Sequence, residues 1–152
     1  MRGSFHKINK DQTIYKLIFN AILLNLNFYE RIMQMIPFNN RDGYIWIDGS
    51  YKKWNEATVH VLNHGLHYGS CVFEGIRIYG GKIFKLDEHI KRLFVSATLL
   101  DLEIPYKIAE IKDITLELTK KQDVKNGYIR PVVWRGSEKM AISAKDASTH
   151  IA

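Results

Sequence analysis

The sequence predicts an α+β domain whose sheet is mostly antiparallel and is flanked by two helices. Segments with strand-like patterning and tight-turn dipeptides come first, after residue 42, and two segments with helical periodicity follow them. Hairpins grouped before helices are typical of this class, whereas regular alternation would predict a parallel sheet. The chain has 152 residues, of which 46% are apolar and 25% charged, and this suits one domain with an ordinary core.

The first predicted elements are three strands. Residues 44–47 are aromatic and β-branched, Asp48-Gly49 is a tight-turn dipeptide, and residues 51–54 continue the pattern, so a hairpin is expected. The alternation of side chains in residues 58–62 predicts a third strand.

A second hairpin is predicted around Gly80-Gly81. Its two strands are residues 72–79 and residues 82–86, which lie on either side of the glycine pair.

Two helices are predicted next. Asp87 is a good N-cap for the first helix, whose apolar stripe at helical spacing consists of Ile90, Leu93, Phe94, Ala97 and Leu100. Pro105 separates the helices, and the second is expected to end near Asn126-Gly127. Its apolar stripe consists of Ile108, Ile111, Ile114 and Leu118.

Residues 128–134 are predicted as the last strand of this series. Pro131 lies within it and has no backbone N–H to donate, so the strand should lie at an edge or be bulged there.

Residues 1–36 differ from the rest of the chain. Residues 14–28 are mostly apolar, but Lys16 and three asparagines interrupt them, so no run approaches the roughly 20 residues of a membrane span. No small-residue cleavage site of a signal peptide follows. We interpret residues 1–36 as an extension outside the domain, with a start at Met33 or Met35 as one explanation and an amphipathic membrane-surface helix as the alternative.

The charge and the cysteine count restrict the function classes. The net charge is +6 and the pI is near 9.4. Residues 1–34 carry five basic and two acidic side chains, a net charge of +3, so half of the positive excess lies in this segment. The remainder is interleaved with acidic residues, so nucleic-acid binding is not expected. The single cysteine, Cys71, excludes an internal disulfide and suits a reducing, cytoplasmic compartment.

Three motifs follow one another in the chain. HYGSCVFEGIR covers residues 67–77, HIKRL covers residues 89–93 and YIRP covers residues 128–131. Together they resemble the first half of a branched-chain amino-acid aminotransferase, a class IV enzyme that uses pyridoxal 5'-phosphate and has the D-alanine aminotransferase-like fold. The resemblance runs from about residue 42 to residue 152.

The resemblance implies that residues 37–152 are the small N-terminal domain of that fold, ending before the second domain. In the family, the second domain carries the lysine that binds the cofactor covalently, and no lysine here matches it, so no catalytic residue is assigned. Residues 149–152 resemble the start of the strand that leads into the second domain. The implied activity is amino-group exchange between leucine, isoleucine or valine and 2-oxoglutarate, in a homodimer.

Arg92 is the candidate for cofactor binding. His89, Arg92 and Ser96 lie beside the apolar stripe of the predicted helix, and a guanidinium offers a fork of donors that suits a phosphate. Spacing alone would favour a solvated surface arginine. By resemblance of the HIKRL motif, Arg92 matches the arginine that binds the cofactor phosphate.

Tyr128 and Arg130 are candidates for substrate binding. Arg130 precedes a proline among apolar residues, where an unpaired charge would be costly, and the period of two places Tyr128 on the same strand face. Both could otherwise lie on a solvated face. The resemblance places them at the substrate pocket, where Arg130 can meet a carboxylate of glutamate.

Four more residues of the first motif are assigned to that pocket. Apolar aromatic walls suit branched aliphatic side chains. By resemblance, Tyr68 and Phe73 line the pocket, and part of the pocket wall comes from the other subunit of a dimer. Phe73 could equally fill the core. Glu74 and Arg77 are further candidates. They lie three residues apart in an extended segment, so they point to opposite faces and need not pair with each other.

No metal site is expected. His60, His64 and His67 have the spacing of a helix face, but the alternation around His60 predicts a strand and no carboxylate completes a zinc pattern. Cys71 shows no sign of activation and is expected to be a small buried side chain.

Three functional interpretations remain open. The chain could be an N-terminal fragment of the enzyme without activity of its own, or one half of a split enzyme that a separate C-terminal chain completes, or a β-rich interaction module without catalysis. Neither a membrane nor nucleic acid is expected as a partner.

Overall fold

The computed structural model describes Asn20, residues 37–139 and residues 141–152. The chain divides into the units Met1–Phe38 and Asn39–Ala152, and all the elements below belong to the second unit. The interpretations of residues 14–28 and of an alternative start codon therefore lie outside the described residues. No helix in the described part is long and apolar enough to cross a membrane.

The described residues confirm the α+β class and the antiparallel pairing. All strand pairs are antiparallel, in one two-stranded sheet of order β1-β2 and two three-stranded sheets of orders β3-β7-β8 and β5-β4-β6. The strands are β1 (Tyr44–Ile47), β2 (Ser50–Lys53), β3 (Cys71–Phe73), β4 (Ile76–Tyr79), β5 (Lys82–Ile83), β6 (Gly127–Ile129), β7 (Val132–Arg135) and β8 (Thr149–Ile151). The α-helices are α1 (His64–Tyr68), α2 (Leu86–Leu99) and α3 (Ile108–Lys121), and a short 3-10 helix covers Trp54–Glu56.

The first predicted hairpin is confirmed. β1 pairs with β2 and the two-residue turn is Asp48-Gly49, whose φ angles are 45° and 86°. Positive φ at both central residues is the requirement of a type I′ turn, which Asp-Gly meets at little cost. The second hairpin also forms around its glycine pair, but both of its strands are shorter than predicted. The first is only β4, because residues 72–79 are interrupted before Ile76, and the second is only β5, because α2 already begins at Leu86.

The strand predicted for residues 58–62 is wrong. This segment is irregular and leads into α1, which the alternating pattern did not predict. Its backbone is satisfied locally, since Leu62 N–H donates to His60 Nδ1 at 3.1 Å and Asn63 N–H donates to the His60 carbonyl at 3.0 Å. A period of two makes a strand only where a neighbouring strand supplies the hydrogen bonds.

Both predicted helices form, with corrected ends. Asp87 is not the N-cap of α2; Lys85 is, and the carboxylate of Asp87 instead pairs with Lys112 of α3 at 2.5 Å. Leu100 lies just past α2 and is partly exposed, so the buried stripe ends at Ala97. α3 ends at Lys121, earlier than predicted.

A broken ladder forms the centre of the fold. β3 pairs with β7 and β4 pairs with β6 in one register on both sides of a break. The break separates β6 from β7 at Pro131, which has no N–H to donate. One hydrogen bond crosses it, from the Glu74 N–H to the Pro131 carbonyl at 3.0 Å. The strand predicted for residues 128–134 is therefore two strands with the expected interruption at Pro131, and β8 follows them.

The core lies between the broken ladder, α2 and α3. Its members come from all three sheets and from both long helices, which explains why the small sheets act as one body. The buried residues of this core cluster are Trp46, Ile76, Ile90, Leu93, Ala97, Leu102, Ile111, Val133 and Ile151.

His150 fastens the last strand to the first turn. Its Nδ1 lies 2.6 Å from Asp48 Oδ2 and its Nε2 lies 2.8 Å from Glu138 Oε1. Burial lowers the pKa of His150, but its hydrogen bonds to the two carboxylates outweigh this and raise the pKa above the usual 6.5. Burial raises the pKa of Glu138, but the bonds from His150 and from backbone N–H groups outweigh this and lower it below 4.5. We call these three side chains the His150 latch.

Leu93→Ala should lower the free energy of unfolding by about 2–5 kcal/mol, because a fully buried leucine leaves a cavity. Leu99→Ala on the same helix is the matched control; Leu99 is 78% exposed, so the change should stay within about 0.5 kcal/mol. Urea unfolding of the full chain measures both values. Equal losses would contradict the packing of α2 against the core.

The stability that the His150 latch contributes should depend on pH. Because the pKa of His150 is raised on folding, the stability that His150 contributes is complete below pH 6.5 and is lost as pH rises through its folded pKa. Because the pKa of Glu138 is lowered on folding, the stability that Glu138 contributes is complete above pH 4.5 and is lost as pH falls through its folded pKa. The melting temperature of wild type should therefore exceed that of His150→Gln most between these two pH values. Melting curves at several pH values test this, with His60→Gln as the control. A difference that keeps growing as pH rises above 6.5, where His150 should lose its charge, would refute the latch.

Candidate functional site

The candidate residues gather at the break in the ladder, on two faces. Phe73, Arg77 and Tyr79 are exposed, whereas Glu74, Ile76 and Ile78 are buried on the opposite face, as the period of two requires. The expectation that Glu74 and Arg77 point to opposite faces is confirmed. The predicted site thus consists of one group beside α2 and one group on the open face.

Glu74 and Arg92 form the group beside α2. Arg92 Nε donates to Glu74 Oε1 at 2.5 Å and Arg92 Nη2 donates to Glu74 Oε2 at 2.7 Å, while His89 Nδ1 lies 2.8 Å from Oε2. The Glu74 side chain is 6% exposed and that of Arg92 is 65% exposed. We call this arrangement the Glu74 clamp.

The clamp keeps a buried carboxylate ionised. Hydrogen bonding from Arg92 lowers the pKa of Glu74 to about 2, against the opposing effect of burial and with a further contribution from His89. An ionised carboxylate can only accept, so the His89 tautomer that bonds Glu74 carries its hydrogen on Nδ1, and the 3.2 Å approach of Nδ1 to Arg92 Nη2 is then a contact between two donors. Sequence spacing did not reveal this pairing, because Glu74 and Arg92 are distant in the chain.

Phe73, Tyr128 and Arg130 form the group on the open face. The Arg130 guanidinium lies 4.1 Å from the centre of the Phe73 ring and 5.2 Å from that of Tyr128. Its Nε and Nη2 donate to the Tyr128 hydroxyl at 3.1 and 2.7 Å. Gly75 lies under the Tyr128 ring, where a Cβ would overlap the phenol. The predicted common face of Tyr128 and Arg130 is confirmed, and Phe73 is exposed rather than part of the core.

Arg77 and Tyr68 make other side-chain contacts. Arg77 is the cross-strand partner of Tyr128, and its guanidinium lies 5.4 Å from the centre of the Tyr79 ring. Tyr68 is at the end of α1, half exposed, and its ring contacts are with His64 and His67.

The other polar residues near the first motif have structural contacts. His64 is buried and its Nδ1 lies 2.7 Å from Ser70 Oγ, while His67 Nε2 lies 2.9 Å from the Val61 carbonyl. Within the described ranges, no group of three or more histidine, cysteine, aspartate or glutamate side chains could hold a metal ion. Cys71 is half-buried; burial raises the pKa of its thiol, and the charge of Arg130 opposes this.

Two contributors to the site were missed at the level of the sequence. Gly75 is required by the close approach of Tyr128, and His89 completes the Glu74 clamp. Glycine inside an otherwise strand-like segment is a signal of close approach and could have indicated Gly75. The shared helix face of His89 and Arg92 was predicted from their spacing, but their common bond to Glu74 was not.

The arrangement suits anionic ligands. In the described part of the chain, no hydrogen bond involves Nη1 of Arg92 or Nη1 of Arg130, so each guanidinium has donors left. Arg92 extends from α2 and Arg130 lies against aromatic rings, so the first offers donors to an anion and the second offers donors in partly apolar surroundings. The two groups together present guanidinium donors, which an anion can accept, and exposed aromatic surface, which an apolar group can contact.

The chain belongs to the amino-transferase class IV family, whose model matches residues 71–152, more than half of the chain. It is 44% identical over 116 residues to the branched-chain-amino-acid aminotransferase of Pseudomonas aeruginosa, covering 74% of this chain and 38% of that protein. It is 36% identical over 104 residues to the Escherichia coli K12 enzyme of the same name, covering 66% of this chain and 34% of that one.

Solved structures show the same likeness. The Escherichia coli branched-chain amino acid aminotransferase matches with a TM-score of 0.69 and 34% identity, over 73% of this chain and 38% of that chain. The T.th. branched-chain amino acid aminotransferase, solved with pyridoxamine 5'-phosphate, matches with a TM-score of 0.68 and 36% identity, over 74% of this chain and 39% of that chain. The chain thus spans about two fifths of the length of the relatives that it matches.

Arg92→Gln should raise the pKa of Glu74 from about 2 towards or above the usual 4.5, because burial would then be opposed mainly by His89. The lowered pKa means that the clamp contributes stability above pH 4.5 and loses it as pH falls towards 2. Carbon-detected NMR titration of the glutamate carboxyl groups measures the shift. Lys91→Gln removes the adjacent positive charge and is the control. A pKa that stays near 2 in Arg92→Gln would refute the pairing.

Proposed function

We propose that this chain supplies the cofactor-phosphate and substrate-binding side of a branched-chain amino-acid aminotransferase. The observation that carries the proposal is that consecutive residues at the break in the ladder contact the two groups, Glu74 bonding Arg92 and Phe73 contacting Arg130, in a chain of the class IV family. The substrates would be leucine, isoleucine or valine with 2-oxoglutarate, in keeping with the names of the relatives.

Arg92 would bind the phosphate of pyridoxal 5'-phosphate. The free donors of its guanidinium and its position at the surface suit a phosphate group. The cofactor supplies the electron sink for amino-group transfer, while the residues of this chain hold its phosphate. A relative solved with pyridoxamine 5'-phosphate supports the class of cofactor.

Tyr128, Arg130, Phe73 and Tyr68 would bind the substrates. Phe73 and Tyr128 present half-exposed rings that suit a branched side chain, and Arg130 between them suits a carboxylate. Arg77 lies across the strand from Tyr128 and would add positive charge on the same face.

Activity would require the part of the enzyme that the relatives have beyond their match to this chain. No lysine here matches the lysine that the family resemblance calls for, so we assign no catalytic residue to this chain and expect it to be inactive alone. The remaining part could be supplied in trans by a separate chain. We further propose that residues 37–152 form the family domain, that residues 1–36 are an extension, and that the complete enzyme is a cytoplasmic homodimer.

The proposal is tested by complementation. The full chain is produced alone and together with the part of the Pseudomonas aeruginosa relative that follows its matched region, and leucine-dependent conversion of 2-oxoglutarate to glutamate is assayed. We expect no activity and no borohydride-trapped lysine adduct of pyridoxal 5'-phosphate in the chain alone, and activity in the pair. Arg130→Met should lower kcat/KM for glutamate by about 10- to 100-fold, because a hydrogen bond to a charged group contributes about 1.5–3 kcal/mol, and should lower that for leucine less.

Lys91→Gln is the matched control, since Lys91 is exposed and lies outside both groups. A soluble pair without activity would count against the enzymatic role and favour a non-catalytic interaction module. A stoichiometric lysine adduct in the chain alone would contradict the expectation that it is inactive.

A further inference from the structure

We propose that Glu74 is a positioning residue that holds one edge of the Arg92 guanidinium so that the opposite edge forms a fixed two-donor fork for a phosphate monoester. The inference rests on the proposed function, because that function assigns the phosphate to Arg92. It assigns Glu74 to the orientation of Arg92 and not to the substrate pocket.

The geometry of the clamp supports this role. A guanidinium is planar and has five N–H donors, and the Nε and Nη2 edge is taken by the two oxygens of Glu74 at 2.5 and 2.7 Å. A planar group held at two points on one edge has its other edge fixed in direction. That other edge, formed by Nη1 and the second hydrogen of Nη2, belongs to a side chain that is 65% exposed.

Glu74 is itself held in place. Its side chain is 6% exposed, its backbone N–H crosses the broken ladder to Pro131 at 3.0 Å, and His89 reaches Oε2 at 2.8 Å. The carboxylate therefore belongs to the rigid sheet, while Arg92 extends from a neighbouring helix. An exposed arginine without such an anchor would lose considerable rotamer freedom on binding an anion.

A carboxylate beside Arg92 could have the opposite effect. It cancels positive charge and could weaken the attraction of Arg92 for a phosphate. The structure favours positioning, because the two Arg92 contacts are bidentate and because His89 donates to the same carboxylate and takes up part of its negative charge. The two effects predict opposite results when the charge of Glu74 is removed.

The test measures binding of inorganic phosphate by the full chain. The NMR signal of the Arg92 Nε–H group, assigned by its loss in Arg92→Lys, is followed during titration with phosphate, with sodium chloride at matched ionic strength as the reference. Wild type should show a saturable shift with phosphate. Glu74→Gln, which keeps the shape, and Glu74→Asp, which keeps the charge but not the reach, should each weaken phosphate binding by about tenfold, as loss of an orienting partner does at metal sites.

Lys91→Gln should bind phosphate nearly as wild type does, since it removes a neighbouring charge and leaves the clamp intact. Tighter binding by Glu74→Gln, unchanged binding by both Glu74 variants, or no saturable shift in wild type would overturn the positioning role. A cooperative melt is required of every variant. Should the Glu74 variants fail to fold, His89→Ala decides the question: weaker phosphate binding supports the clamp, and unchanged binding overturns it.

The outcome separates this inference from the proposed function. Clamp-dependent phosphate binding without activity in the complemented pair would refute the aminotransferase role and leave the positioning role standing. Activity in the pair together with clamp-independent phosphate binding would refute the positioning role alone.

Discussion

The missing N–H of Pro131 is the constraint on which the rest of the site depends. Residues 71–79 and 127–135 keep one register along their length, so they would form a continuous ladder if every residue could donate. A proline cannot, and the pairing stops there. The Glu74 N–H still reaches the Pro131 carbonyl at 3.0 Å, which keeps the two halves of the ladder aligned. The break is therefore a narrow gap in a rigid frame, and the candidate side chains stand around it.

The pleat of the strands then divides the functional groups between two environments. Glu74 lies on the same buried face as Ile76 and Ile78 and contacts α2. Phe73 and Arg77 face outward with Tyr128. A carboxylate buried without partners would be strongly destabilising. The contacts from Arg92 and His89 offset this cost and at the same time fix the arginine, so one interaction serves both the stability of the domain and the geometry of the site.

Local signals in the sequence predicted what is locally determined. The Asp48-Gly49 and Gly80-Gly81 turns, the stripe of Ile90 and Leu93, and the shared face of Tyr128 and Arg130 all follow from short-range geometry. The errors arose where distant partners decide: residues 58–62 have no strand to pair with, and Asp87 bonds Lys112 of another helix instead of capping its own. The pairing of Glu74 with Arg92 has the same long-range origin. The roles of the site residues came from resemblance, since spacing alone favoured a solvated surface for Arg92.

On the proposed function, the exposure of the site implies that catalysis would need a covering partner. Phe73 and Tyr128 are 55% and 50% exposed, and the free edge of Arg92 faces water. The attraction between opposite charges grows as the effective dielectric constant around them falls, and removing water from exposed side chains lowers that constant. A second domain that closes over the break would therefore strengthen the hold of both arginines on a ligand even before it adds donors of its own. On the proposed function, this chain provides an oriented but solvated half-site from about two fifths of the enzyme, and the exclusion of water must come from the remainder.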